Sequence, residues 1–269
     1  MSIDQVGFIG VGSIAESMIE GLLHTAGDSE EKSAQAPRVI LSPRSRTRTA
    51  RLSEKYPQID VVSSNADVVP GSDIVVLAVR PDQVEEALDG VELQPGQILL
   101  SVLAGVSIDR IRSALASEEA EKIEIVRSIP LPPVAEGDGV VPIVPGIPLV
   151  ADFFDRMGKV LVVEDEKQLS VLSAATATCT GLLEYVSTVC DWTVDAGVDR
   201  STAEPFVRAV VASLAPALLD SASSMDTVIA SHETPGGLNE QLRTTFFDEG
   251  TTGELRSALD GVHLRAAGS

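Results

Sequence analysis

The sequence has few aromatic and few basic side chains. Aromatic residues make up 3% of its 269 residues, and 20 basic residues stand against 40 acidic ones, which gives a net charge of −20. Such an acidic chain repels nucleic acids and anionic membrane surfaces, and scarce aromatics leave little for base stacking. The composition therefore excludes a nucleic-acid-binding protein, and a ligand that carries phosphate would need a local basic patch.

Long apolar runs and cysteines are also scarce. We find no uninterrupted apolar run of the roughly 18 residues that span a bilayer and no charged region and cleavage site of a signal peptide, so we expect a cytoplasmic protein without a membrane partner. Cys179 and Cys190 lie in a stretch of helical pattern, about 16 Å apart, too far for a disulfide. We expect both to be small buried apolar residues, and no spacing of ligands predicts a metal site.

The first 165 residues alternate short Val/Ile/Leu runs with helical patterns. Such alternation is typical of a parallel sheet that helices cover on both faces. From Glu166 onward the runs disappear and long Ala-rich helical patterns follow. The sequence thus predicts an α/β domain over residues 1–165 and an all-helical domain over 166–269. The predicted strands lie at residues 5–12, 38–42, 61–63, 73–79, 97–105, 124–130, 139–145 and 159–164.

The motif Gly10-x-Gly12-x-x-Ala15 stands where the first strand meets the first helix. Gly10 permits a tight turn, Gly12 lets the backbone approach a pyrophosphate, and Ala15 lets the helix pack closely on the sheet. The start of the helix presents free N–H groups to the phosphate charge. The motif predicts a dinucleotide site on a Rossmann-type domain; a simple tight turn is the alternative.

A cluster of arginines without acidic residues follows the second strand. NAD sites usually end this strand with Asp or Glu, which holds the ribose 2′-hydroxyl. Here Arg44 is the candidate for a bidentate contact to a 2′-phosphate, with Ser42 and Arg46 assisting. We expect Arg48 and Arg51 to lie on a solvated helix face. A position on such a face is also the alternative interpretation of Arg44. The cluster favours NADP over NAD.

The chain resembles the pyrroline-5-carboxylate reductases, which reduce a cyclic imine to proline with NAD(P)H. The resemblance rests on "VGFIGVGSIAESMIEGLL", "SDIVVLAVRP", "SVLAGVSIDRI", "DAGV" and "TPGGLNEQL". It implies an NADP-dependent oxidoreductase of proline biosynthesis that acts on a small imino acid and dimerises through its helical domain. The family's cofactor contacts, carried over by position, fall on Ile9, Gly10, Val11, Gly12, Ser13, Ile14, Ser42, Arg44, Asn65, Ala78, Val79, Arg80, Pro81 and Ala104.

A Pro-Gly-Gly sequence interrupts the helical domain. Pro235 ends one helix, the two glycines let the backbone turn closely, and the N–H groups of the next helix face the gap. A helix start is suited to a carboxylate, although a plain interhelical turn is the other interpretation. In the resembling family this loop holds the substrate carboxylate, which implies substrate contacts at Thr234, Pro235, Gly236, Gly237 and Leu238.

Three motifs on the substrate side depart from the family pattern. The Asn of Met-Pro-Asn-Thr-Pro is Leu131, Gly-Ser-Gly-Pro-Ala-Tyr is changed at residues 180–185, and the second Thr of Ser-Pro-Gly-Gly-Thr-Thr is Asn239. We predict that Asn239 is the catalytic residue and hydrogen-bonds the substrate nitrogen. An amide gives up no proton at neutral pH, so the proton must come from a water held by Asn239 or from Glu184, Glu233, Glu240 or His232.

The departures leave other functions open. The same fold could act on another imine or on a keto or hydroxy acid, or the chain could be a catalytically silent NADP-binding regulator. Apolar helix faces at residues 171–190 and 205–219 exceed what one layer beside a Rossmann domain covers, which favours a homodimer.

Overall fold

The computed structural model of the chain describes residues 3–24, 36–115 and 120–268. The chain divides into two compact units. The first runs up to Ser173 and includes the end of the chain from His263, and the second is Ala174–Val262. The domain boundary at 165 and the assignment of one role to each domain stay predictions.

Among the described residues, eight strands form one sheet in the order β3-β2-β1-β4-β5-β6-β7-β8. Each predicted strand is present, with ends that differ by a few residues, and the predicted fold class is confirmed. The strands are β1 Gln5–Ile9, β2 Arg38–Leu41, β3 Ile59–Val61, β4 Ile74–Leu77, β5 Ile98–Ser101, β6 Glu124–Ser128, β7 Gly139–Val144 and β8 Gly158–Val162.

The sheet departs from a wholly parallel arrangement at its far edge. Strand β7 is antiparallel to β6, and β8 runs parallel to β7. Only residues 129–138, with a 3₁₀ turn at Pro132–Glu136, connect β6 to β7. A parallel pair needs a crossover of a dozen or more residues, usually a helix, so this short connection reverses the chain direction.

Helices cover both faces of the sheet. In β1, Val6 and Phe8 pack in one buried cluster and Ile9 in the other, because successive side chains of a strand point to opposite faces. The first of these clusters also holds Met18 and Ile19 of α1. In the described part of the first unit, the α-helices that begin there are α1 Ser13–His24, α2 Arg46–Lys55, α3 Val84–Leu88, α4 Ile108–Ala114, α5 Pro148–Asp155 and α6 Glu166–Thr176.

The second unit consists of helices with little buried surface. Trp192, Phe206 and Leu219 are 68%, 66% and 83% exposed. Cys190 is buried as expected, but Cys179 is exposed, and both are free thiols, so the expected burial was wrong for Cys179. The remaining helices are α7 Thr178–Asp195, α8 Arg200–Ala212, α9 Ala215–Leu219, α10 Met225–Ser231, α11 Leu238–Phe246 and α12 Glu249–Ala266.

Two helical stretches meet the length and composition of a membrane span, although the sequence shows no uninterrupted apolar run of that length. They are Glu166–Asp195 and Arg200–Leu219, each with a mean hydropathy of 1.3 in its most apolar window. These criteria are also met by core helices of soluble proteins. The stretches are therefore weak evidence for a membrane.

Candidate functional site

The predicted cofactor contacts follow neighbouring strands of the sheet at the same edge. Phe8 pairs with Leu41, Ile9 with Leu77, and Leu77 with Ser101, so the carboxyl ends of β1, β2, β4 and β5 are level. The strand order reverses between β1 and β4, and the connections that follow these two strands lie on either side of that point. Open α/β sheets bind ligands at this position.

The turn after β1 has the backbone that the glycine motif predicts. Gly10 has a φ of +87°, and a Cβ there would lie 2.7 Å from the Ala78 carbonyl oxygen. Such a conformation and such a close approach both favour glycine. At Gly12, by contrast, a Cβ would meet no heavy atom of the described residues within 4 Å. At Gly10 the turn therefore packs against the residues that follow β4, whereas the space beside Gly12 is open.

Ser42 lies under this turn. Its hydroxyl is buried and accepts a hydrogen bond of 2.9 Å from the Gly10 N–H. The structure thus gives Ser42 a contact that the sequence analysis did not anticipate, since it placed this side chain toward a 2′-phosphate. That role toward a 2′-phosphate stays a prediction.

The arginine cluster lines a cavity of about 750 Å³ beside the turn. Arg44 lies in an exposed ion pair with Glu86, with 3.2 Å between Nη2 and Oε1, and such pairs hold their partners weakly. Arg46 lines the cavity, and its guanidinium has no ion-pair or hydrogen-bond partner among the described residues. Both guanidinium groups are therefore available to a phosphate.

Arg48 and Arg51 lie on α2, and Arg51 is exposed as expected, whereas Arg48 is half-buried. Arg48 Nε lies 2.8 Å from Oε2 of Glu16 on α1, and Arg51 pairs with the same carboxylate. Lys55, one turn further along α2, pairs with Glu20 at 3.1 Å. The basic face of α2 therefore packs on the acidic face of α1, an arrangement that the sequence analysis did not identify although both faces have helical spacing.

The other predicted cofactor contacts lie in the connections after β3, β4 and β5. The Asn65 amide donates to the Ala87 carbonyl oxygen at 2.9 Å, which ties the β3 connection to α3. Arg80 is exposed, with its Nε 3.8 Å from Asp82. Ala104 precedes α4 in the β5 connection. Ile9 to Ile14 and Ala78 to Pro81 meet at the turn through the Ala78 N–H, which donates to the Ile9 carbonyl oxygen at 2.8 Å.

These residues fit a dinucleotide phosphate. The turn offers open space over Gly12 and the start of α1, and the cavity beside it supplies cationic side chains in an otherwise acidic protein. Both features match the needs of a pyrophosphate and a 2′-phosphate. Within the described part of the chain, no group of three or more His, Cys, Asp or Glu residues could hold a metal ion.

The Pro-Gly-Gly sequence of the second unit separates α10 from α11. Gly236 has a φ of +74°, and a Cβ on Gly237 would lie 2.7 Å from the Thr234 hydroxyl, so each glycine is required for a different reason. The Asn239 amide nitrogen donates to the His232 carbonyl oxygen at 2.7 Å. The Glu240 carboxylate accepts from the Gly236 N–H at 2.6 Å. One N–H of the predicted carboxylate loop is therefore already bound by a carboxylate of the chain.

Two of the candidate proton donors have other partners. The Glu233 carboxylate accepts hydrogen bonds of 2.6 and 3.0 Å from Arg243, which lower the pKa of that carboxyl below its ordinary value. His232 Nδ1 lies 2.8 Å from the Val228 carbonyl oxygen, which can only accept, so Nδ1 carries the proton. The deprotonated form of Glu233 is thus favoured, and Nδ1 of His232 is engaged by the backbone.

Comparisons with known proteins agree with this arrangement. Residues 5–105 match the family described as NADP oxidoreductase coenzyme F420-dependent. Pyrroline-5-carboxylate reductase 1 of Bacillus spizizenii is 32% identical over 130 residues, which are 47% of this chain; the chain spans only 40% of that enzyme's length. The pyrroline-5-carboxylate reductase of Pseudomonas aeruginosa is 23% identical over 277 residues, with 99% of this chain and 97% of that enzyme covered.

Solved structures share the fold. The crystal structure of Plasmodium falciparum pyrroline carboxylate reductase with NADP bound superimposes with a TM-score of 0.78 at 18% identity, over 100% of both chains. The pyrroline-5-carboxylate reductase of Coxiella burnetii gives a TM-score of 0.79 at 21% identity, over 99% of this chain and 98% of that one. The likeness extends over both units of the chain.

Proposed function

We propose that this chain belongs to the pyrroline-5-carboxylate reductase family and reduces pyrroline-5-carboxylate to proline with NADPH. The observation that carries the proposal is the open glycine turn with its arginine-lined cavity, in a chain that aligns over nearly its whole length with a reductase of this name. The reaction breaks the C=N π bond and adds one hydride to carbon and one proton to nitrogen.

On the cofactor side, the first unit would hold NADPH at the edge where β1, β2, β4 and β5 end. The turn at Gly10–Ser13 and the start of α1 would receive the pyrophosphate, and Arg44 with Arg46 the 2′-phosphate. When bound, the reduced nicotinamide supplies the hydride. The protein then has to orient the imine and provide a hydrogen bond to its nitrogen.

On the substrate side, we assign the hydrogen bond to the imine nitrogen to Asn239. An amide nitrogen has two hydrogens; one is directed to the His232 carbonyl oxygen, which fixes the side chain, and the other remains for the substrate. Glu233 stays deprotonated beside Arg243. We assign the proton to a water that Asn239 orients, and the substrate carboxylate to the loop from Thr234 to Leu238.

An assay with pyrroline-5-carboxylate and NADPH tests this function. We expect NADPH oxidation with proline as the product, and Asn239→Ala should lower kcat by about tenfold or more, with unchanged NADPH affinity, because a hydrogen bond that strengthens in the transition state affects the rate. Asn239→Thr, which restores the family's residue, should recover activity.

Two outcomes of this assay would contradict parts of the proposal. Turnover of 1-pyrroline or a keto acid, but not of pyrroline-5-carboxylate, would fit the altered residues Leu131 and Asn239 and replace the substrate. NADPH binding without turnover of any compound in such a panel would indicate the silent regulator.

We further infer a cytoplasmic homodimer that forms through the second unit. The second unit exposes many large apolar side chains, among them Trp192, Phe206 and Leu219. Contiguous exposed apolar surface marks interaction sites, and a second copy of the same surface would cover it. Light scattering of the purified chain at micromolar concentration should give twice the mass of the 28.2 kDa chain. A monomer, or a chain that pellets with membranes and needs detergent, would contradict the inference.

A further inference from the structure

The turn that would receive the pyrophosphate is held by one segment of the chain, residues 42–48. Ser42 binds the Gly10 N–H from below. From the first turn of α2, Arg48 reaches the other half of the turn, where Nη1 donates to the Val11 carbonyl oxygen at 3.2 Å and Nη2 to the Ser13 hydroxyl at 3.4 Å. The same segment carries Arg44 and Arg46.

The guanidinium of Arg48 already has partners within the protein. Its Nε lies 2.8 Å from the Glu16 carboxylate, so all three nitrogens have acceptors on the turn or on α1. The side chain is 35% exposed, whereas Glu16 is 13% exposed. Glu16 belongs to the first turn of the helix whose start faces the pyrophosphate, where an uncompensated carboxylate would repel phosphate.

We propose that Arg48 is a positioning residue for the dinucleotide: its hydrogen bonds fix the shape of the Gly10–Ser13 turn, and together with Arg51 it neutralises Glu16, without touching the 2′-phosphate. This inference rests on the proposed use of NADPH. It separates two functions within the arginine cluster. Arg48 supports affinity for any dinucleotide, whereas Arg44 and Arg46 distinguish NADPH from NADH.

Titration of the purified full-length chain with NADPH and with NADH, followed by nicotinamide fluorescence, tests the division. Arg48→Met should weaken both cofactors by about tenfold, the loss expected when hydrogen bonds to a charged group disappear, and leave their affinity ratio unchanged. Arg44→Ala should weaken NADPH alone. At saturating NADPH, kcat of Arg48→Met should equal that of the unmodified chain.

Arg51→Met is the matched control. Arg51 lies on the same helix and pairs with the same Glu16 carboxylate, but forms no hydrogen bond to the turn among the described contacts, so both affinities should stay within about twofold. Arg48→Lys keeps the charge but cannot span Val11 and Ser13, and should lie between Arg48→Met and the unmodified chain. Should Arg48→Met fail to fold, Arg48→Lys and Ser13→Ala carry the test, with parallel losses for both cofactors.

A loss confined to NADPH in Arg48→Met would show a direct 2′-phosphate contact and overturn the proposal. Equal affinities of Arg48→Met and Arg51→Met would overturn it as well. These failures can be told apart from failure of the proposed function. If the unmodified chain binds NADPH but does not reduce pyrroline-5-carboxylate, the titrations still test the role of Arg48. If the chain is active and Arg48→Met binds both cofactors normally, only the role of Arg48 is contradicted.

Discussion

Gly12→Val should reduce NADPH affinity by at least about a hundredfold while the chain stays folded. A Cβ at Gly12 meets no heavy atom of the described residues within 4 Å, and the backbone φ of Gly12 lies outside the left-handed region. The folded protein therefore accepts the side chain. The added methyl groups would occupy the space over the turn where the backbone has to approach the pyrophosphate. Fluorescence titration and a thermal unfolding curve measure the two effects.

Gly10→Ala is the control with the opposite profile. Its Cβ would lie 2.7 Å from the Ala78 carbonyl oxygen, on a residue with a φ of +87°. Backbone strain and overpacking together should lower the free energy of unfolding by roughly 2–5 kcal/mol. Unchanged NADPH affinity in a folded Gly12→Val variant would place the pyrophosphate elsewhere and contradict the site.

The fold of the first unit follows from local patterns because each buried strand is short, apolar and bounded by turn residues. The runs at β1, β4 and β5 are buried on both faces, so they appear in the sequence without alternation. The direction of β7 was not predictable in the same way. It depends on the length and path of residues 129–138, and a strand's sequence is the same whichever direction it takes beside its neighbour.

The candidate site was predictable where backbone geometry demands a residue type and unpredictable where side chains cross between elements. Gly10 and Gly12 indicate the turn in the sequence, because any other residue would strain the backbone φ or fill the space beside the turn. Arg48 and Glu16 carry no such signal, since their meeting depends on how α1 and α2 pack. Asn239 could be placed on the loop, but its bond to the His232 carbonyl could not be foreseen.

A buried ion pair at the start of α6 was likewise unpredictable from the sequence, because its two side chains come from different elements. Arg127, at the end of β6, is almost fully buried, and its Nη1 lies 2.6 Å from the Glu166 carboxylate. The same carboxylate accepts the Ile108 N–H at 3.0 Å. Glu166 thus joins β6, α4 and α6, although in the sequence it appears only as the first residue of a helical pattern.

Glu166→Ala should therefore lower the free energy of unfolding by about 3–5 kcal/mol, because it leaves a buried guanidinium without its carboxylate. Nε of Arg127 already lacks a hydrogen-bond partner among the described residues, so no second acceptor compensates. Arg127→Met should cost far less, about 1 kcal/mol, since it removes the buried charge and leaves Glu166, whose side chain is 34% exposed, in contact with water. Urea unfolding of both variants and of the double variant Arg127→Met/Glu166→Ala measures the difference, and the double variant should be more stable than Glu166→Ala alone. If Arg127→Met proves as destabilising as Glu166→Ala, the arginine contributes mainly through packing and the ion-pair argument is wrong.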